Sequence, residues 1–103
     1  MSSPALRVLT PTEVVVALGQ VPGWRLSGDG DTVAIQKAFD FEQHAQALLF
    51  VNSLGWLSEK LNHHPELVLN HRRCLVRWRT HAVQGLSRLD FDAARQTDSV
   101  LPA

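Results

Sequence analysis

Apolar residues recur along this chain with two periods, and the switches between them mark its elements. Val14, Val15 and Leu18 lie on one face at helical spacing. Thr10-Pro11-Thr12-Glu13 announces that helix with an N-cap, a proline at the first helical position and a capping-box glutamate, and Gly19 is a natural stop. After the Pro22-Gly23 turn the period shortens. A strand is expected from about Trp24 to Ser27, then the dense turn signal Gly28-Asp29-Gly30-Asp31, then a strand over Thr32 to Phe39. In the latter, Val33, Ile35 and Lys37 alternate with Thr32, Ala34 and Gln36, and the pair of strands reads as a hairpin.

The helical period returns with Ala47, Phe50, Val51, Leu54, Leu57 and Leu61, a stripe that faces a core. Asp40 is the expected cap of this second helix, with Gln43 at its third position. Gly55 sits mid-helix, where glycine costs about 1 kcal/mol relative to alanine, so close packing is expected there. Pro65 disfavours helical geometry in the residue before it, so the helix ends by Asn62-His63-His64. Leu67–His71 and Cys74–Thr80 read as a second hairpin around Arg72-Arg73. Cys74, Val76 and Trp78 share one face of the last strand; Arg77, Arg79 and His81 share the other. Ser87 then caps a third helix, with Asp90 at the capping-box position and Leu86 stapled onto Phe91. Ala93, Ala94, Val100 and Leu101 continue that helix and Pro102 ends it.

The pattern predicts one α+β domain over residues 1–103: a two-layer sandwich in which a four-stranded antiparallel sheet of two hairpins is covered by helices, in the order α-β-β-α-β-β-α. Open sheet edges favour self-association. Apolar residues make up 45%, and 10 basic residues balance 10 acidic ones. That balance predicts no general attraction to nucleic acid or anionic membrane, and no apolar run approaches the ~20 residues of a membrane span. Arg72, Arg73, Arg77 and Arg79 form a local basic patch too small to change this. A lone cysteine, Cys74, suits a reducing compartment and reads as a small buried hydrophobe. With a start, Met1-Ser2-Ser3-Pro4, that lacks signal-peptide blocks, the expected location is the cytoplasm.

The candidate chemistry lies in histidines. His63 and His64 stand at a helix C-terminus before Pro65-Glu66, and His81 follows in a later strand. Adjacent histidines lack the i, i+4 spacing of a helical metal site. Histidine-end capping is a sufficient structural explanation. Acid–base catalysis is the functional one, and it requires the three rings to converge on one pocket. Glu59, one turn before His63, is placed either to orient that ring or to lie in solvent. Asp90 is explained by its cap alone. Trp24 and Trp78 read first as core residues, and Trp56, beside the main stripe, as a candidate subunit contact.

Glu59-Lys60-Leu61-Asn62-His63-His64-Pro65-Glu66, then Thr80-His81, then Gly85-Leu86-Ser87 with Asp90, resembles the pterin-4a-carbinolamine dehydratase family. Gly23-Trp24 and Phe39-Asp40-Phe41 also resemble it, and the likeness runs from about Thr10 to Val100. It implies dehydration of a 4a-hydroxytetrahydropterin to a quinonoid dihydropterin by His63, His64 and His81. Glu59, Asn62, Arg79, Thr80 and Trp24 would bind or orient the substrate. The resemblance implies neither metal nor cofactor, and a homodimer or homotetramer. It also carries an alternative: relatives act as a dimerisation partner of a transcription factor or as assembly helpers. Asn62, Leu67 and His71 depart from the family's usual residues, which bears on substrate preference more than on the reaction.

Overall fold

Residues 6–100 are described by a computed structural model. The readings made on Met1–Pro4, Leu101 and Pro102 fall outside the described residues. Helices α1 (Pro11–Leu18), α2 (His44–Leu61) and α3 (Arg88–Val100) alternate with strands β1 (Arg25–Ser27), β2 (Ala34–Asp40), β3 (Glu66–Asn70) and β4 (Arg73–Trp78) in the expected order. The sheet order is β1-β2-β4-β3, antiparallel throughout, so the two hairpins join through β2 and β4.

One face of the sheet carries the core. Ile35, Phe39, Cys74, Val76 and Trp78 point toward the helices and pack with Phe50, Leu54, Phe91, Ala93 and Ala94. Leu86, at the entry to α3, is buried in the same cluster as Phe91. Lys37 belongs to the helix side: its ammonium donates to Asp98 of α3 at 2.9 Å and lies over the Phe39 ring. The opposite face carries the cross-strand row Gln36, Arg77 and Glu66. Half of the basic patch read from the sequence is paired: Arg73 with Asp40 and Arg77 with Glu66.

The start of α1 follows its sequence signal. Thr10 Oγ1 accepts from the Glu13 amide, and Glu13 accepts from the Thr10 amide. Arg7 donates to both Glu13 oxygens, and this bond most of all holds that carboxyl well below its usual range, at about 2.

Several expected boundaries move. Asp40 ends β2 instead of capping α2; its carboxylate is held by Arg73 across the strand pair, and Gln43 takes the cap position. The Gln46 side chain accepts from the Glu42 and Gln43 amides. β2 begins at Ala34, because the Thr32 hydroxyl donates to the Asp29 carbonyl at 2.7 Å and keeps residues 29–32 in the turn. Gly28 in that turn has φ +76°, and a Cβ there would lie 2.7 Å from the Thr32 carbonyl oxygen. The second hairpin turns at His71-Arg72, with His71 at φ +54°. β4 stops at Trp78; Thr80 forms an isolated bridge with Gly85, and His81–Val83 is a 3-10 turn.

Gly55 contradicts the expectation of close packing. It is exposed, and a Cβ added there meets nothing within 4 Å. The stripe's buried positions are Ala47, Phe50 and Leu54, and Gly55 falls on the other side of α2. Gly55→Ala should therefore stabilise the chain by about 0.5–1 kcal/mol through the unfolded state and helix propensity. Urea unfolding tests this; a destabilised variant would mean that the face is covered in solution.

Candidate active site

The end of α2 is shaped by Asn62, which takes left-handed geometry (φ +51°) while its amide bonds back to the Glu59 and Ser58 carbonyls. Asparagine tolerates this conformation better than most residues. The chain then leaves the helix at His63, and the two histidines diverge. His63 turns inward. Its ring stacks on Trp78 with centroids 5.2 Å apart, and Nε2 lies 2.7 Å from Asp90 Oδ1. His64 turns outward, onto the side of the sheet that carries Arg77 and Arg79.

Asp90 has no exposed surface. A buried carboxylate is tolerated when its lone pairs are answered. Here Oδ2 accepts from the Ser87 amide at 3.0 Å and the Thr80 hydroxyl at 2.8 Å, and Oδ1 faces His63. Thr80 Oγ1 also lies 2.7 Å from Ser87 Oγ. The carboxylate is thus both the α3 capping-box acceptor and the partner of an imidazole, where the sequence suggested the cap alone. Since a carboxylate only accepts, His63 Nε2 carries a proton and Nδ1 is the nitrogen left for other work.

His64 and His81 line one open cleft of about 480 Å3 with Thr32, Ala34, Pro65, Glu66, Arg77 and Arg79. Arg79 Nη2 lies 3.4 Å from His81 Nδ1. Guanidinium only donates, so Nδ1 is the acceptor in this arrangement. Glu59 lies beside His64, not His63 as the helical spacing suggested: the contact is 3.6 Å and both side chains are largely exposed. The cleft therefore brings together His64, His81 and Arg79 of the expected site. His63 is not among its lining residues, so two of the three rings share the cleft where three were expected to converge; His63 is linked to it through the chain at His64 and through Asp90 and Thr80, whose neighbours Arg79 and His81 line it.

Asn62 is an exposed helix cap, and Thr80 is a buried tether. Trp24 does not wall the cleft. It is 5% exposed, packs edge-on against Phe39 and donates to Asp98 at 3.0 Å. Asp90 and Arg77 are the positions whose part at this site residue-by-residue reading undervalued. The signal for Asp90 was a capping acid on α3 with a histidine-ended α2 packed alongside. Among the described residues no three His, Cys, Asp or Glu side chains group as metal ligands would. No described helix is long and apolar enough to cross a membrane.

A family profile described as pterin 4 alpha carbinolamine dehydratase matches residues 7–100. The chain belongs to the pterin-4-alpha-carbinolamine dehydratase family. Among its relatives is a protein of Paracidovorax citrulli (strain AAC00-1), provisionally named as such a dehydratase, which is 41% identical over 102 residues spanning 99% of this chain and 88% of the relative. One from Dechloromonas aromatica (strain RCB), named likewise, is 40% identical over 86 residues, covering 84% of this chain and 73% of the other. A crystal structure of a transcriptional coactivator/pterin dehydratase from Brucella melitensis superposes with a TM-score of 0.84 at 30% identity, over 92% of this chain and 99% of that one. A pterin dehydratase-like protein described as a RuBisCO assembly factor of the alpha-carboxysome shares the fold, with a TM-score of 0.65 at 23% identity over 76% of this chain and 88% of that one. The dehydratase fold thus occurs in proteins described in more than one role.

Asp90→Ala would leave the Ser87 amide, the Thr80 hydroxyl and His63 without their shared acceptor. We expect a loss of ~3–5 kcal/mol in urea unfolding, the range for breaking a buried pair. A loss below about 1 kcal/mol would mean that water replaces the carboxylate without cost.

Proposed function

We propose that this dehydratase-family chain removes water from a 4a-hydroxytetrahydropterin, giving a quinonoid dihydropterin by histidine acid–base catalysis. The observation that carries the reading is the pairing of an open cleft lined by His64 and His81 with an adjacent imidazole, His63, oriented by a buried carboxylate. The reaction needs one proton delivered to the departing C4a hydroxyl and one taken from N5; the C4a–O bond breaks and a C4a=N5 bond forms. Imidazole is the side chain suited to give or take a proton near neutral pH.

The hydrogen bonds suggest a division of labour. His63 holds Nε2–H against Asp90, and a carboxylate in that position steadies an imidazolium. His63 is the acid, acting through Nδ1. His81, whose Nδ1 accepts from Arg79, is the base once substrate displaces that long contact. His64 positions the bicycle, and Glu59 steadies His64. No step calls for a metal or a redox cofactor. The lone buried thiol of Cys74 fits work in the cytoplasm.

We further propose that the working unit is a homo-oligomer. Leu48, Leu49 and Trp56 of α2 stand 46%, 68% and 78% exposed, and neighbouring exposed apolar side chains of this kind mark interaction surfaces. The same face supports the second reading, a non-catalytic scaffold that docks another protein.

His63→Ala and His81→Ala should each lower kcat for 4a-hydroxytetrahydropterin dehydration by ~10²-fold or more, and His64→Ala should act mainly on KM. Full activity in either of the first two variants would overturn the division of labour. Wild-type protein that fails to accelerate the reaction would leave the scaffold reading. Sedimentation should show an assembly larger than one chain, and Trp56→Glu should dissociate it; a wild-type monomer would remove the oligomer.

A further inference from the structure

Arg79 distinguishes the cleft floor from a plain histidine pocket. Arg77, on the same face, already gives Nη1 to Glu66 at 2.9 Å. Among the described residues Arg79 has no carboxylate within ion-pair distance, and its one side-chain hydrogen bond is the 3.4 Å approach to His81. The Nε atoms of both arginines are buried without a hydrogen-bond partner. A half-buried guanidinium carries five donors and a fixed charge, and this one is left with most of them unspent. Among the described residues the only carboxylate lining the cleft, Glu66, is engaged with Arg77. His64 and His81 flank the same space and add two further nitrogens that can donate. The cavity, about 480 Å3, lies in the size range of small-ligand sites and exceeds what one anion needs.

From this we infer that the cleft selects pterins carrying an anionic side-chain group, a phosphate monoester or a carboxylate, which Arg79 grips. The inference rests on the dehydratase reading for the pterin itself and on Arg79 for the anion. Arginine suits both groups, because its planar fork meets two oxygens at once. Ion pairing of the guanidinium with the ligand also frees His81 Nδ1, so the anion and the base would be coupled through one residue. Neutral side chains would leave Arg79 on His81 and bind more weakly.

The test is equilibrium binding of three 7,8-dihydropterins, by fluorescence quenching or calorimetry. One bears a neutral polyol chain, one the same chain as its phosphate monoester, and one a chain ending in carboxylate. The wild-type protein should bind at least one anionic probe about tenfold or more tightly than the neutral one, the gain expected for a charge-assisted contact. Which anion gains more identifies the side chain. The advantage should shrink with added salt. Arg79→Met should abolish it and Arg79→Lys should restore part of it, with far-UV circular dichroism and thermal unfolding reporting that the variants fold. Equal affinity for neutral and anionic probes would overturn the inference, as would an advantage that survives in folded Arg79→Met. Dehydration of the neutral substrate with no anion preference removes the subsite and leaves the dehydratase. An Arg79-dependent anion preference without dehydration of any pterin keeps the subsite and removes the dehydratase.

Discussion

A carboxylate with no exposed surface needs its charge answered from inside the protein, and at Asp90 three separate elements supply the answer. The Ser87 amide comes from the mouth of α3, the Thr80 hydroxyl from the segment leaving β4, and His63 from the end of α2. Losing that acceptor would leave several buried groups unmatched at once, which is more costly than the loss of any single bond. The same contact decides where His63 points, because its Nε2 is committed inward and its ring is stacked on Trp78. Fold and candidate chemistry therefore share one buried anchor.

The sheet sorts the remaining groups by side. Alternation along β4 sends Trp78 to the helices and Arg77 to the open face, and the short turn after β4 places His81 beyond the strand's last ladder bond. His64 parts from His63 at the helix end: His63 packs inward on Trp78 and Asp90, and His64 lines the adjoining cleft. This divergence follows from the left-handed cap at Asn62 and the fixed backbone of Pro65. The cleft sits where the last residues of β4 meet the α2–β3 connection, and its arginine rows continue the polar face of the sheet.

A second network ties the first hairpin to α3. Asp98 receives Lys37 on one oxygen and Trp24 on the other. Trp24 thereby serves the core at a distance from the cleft, and its indole is not available to stack on a ligand. The exposed apolar face of α2, with Gly55 and Trp56, is the part of the molecule least explained by the single chain.

Local signals determined a great deal. Period and turns announced all three helices, both hairpins and the antiparallel α+β order, and caps marked the starts of α1 and α3, because those features depend on residues a few positions apart. Thr10 with Glu13 and Ser87 with Asp90 folded as their spacing indicated. The resemblance in His63-His64-Pro65-Glu66 pointed to the family that the profile match bears out. Tertiary structure decided what spacing cannot carry. Asp40 was drawn into β2 by Arg73 from another strand, and Gly55 proved open because only three-dimensional packing says which side of a helix is covered. Glu59 met His64 instead of His63, since the left-handed cap rotates the chain between them. Asp90 acquired His63 as a partner 27 residues away, and Arg79 was left with its charge unanswered. Each of these depends on how distant segments meet, and that information resides in the packed chain, not in any short window of it.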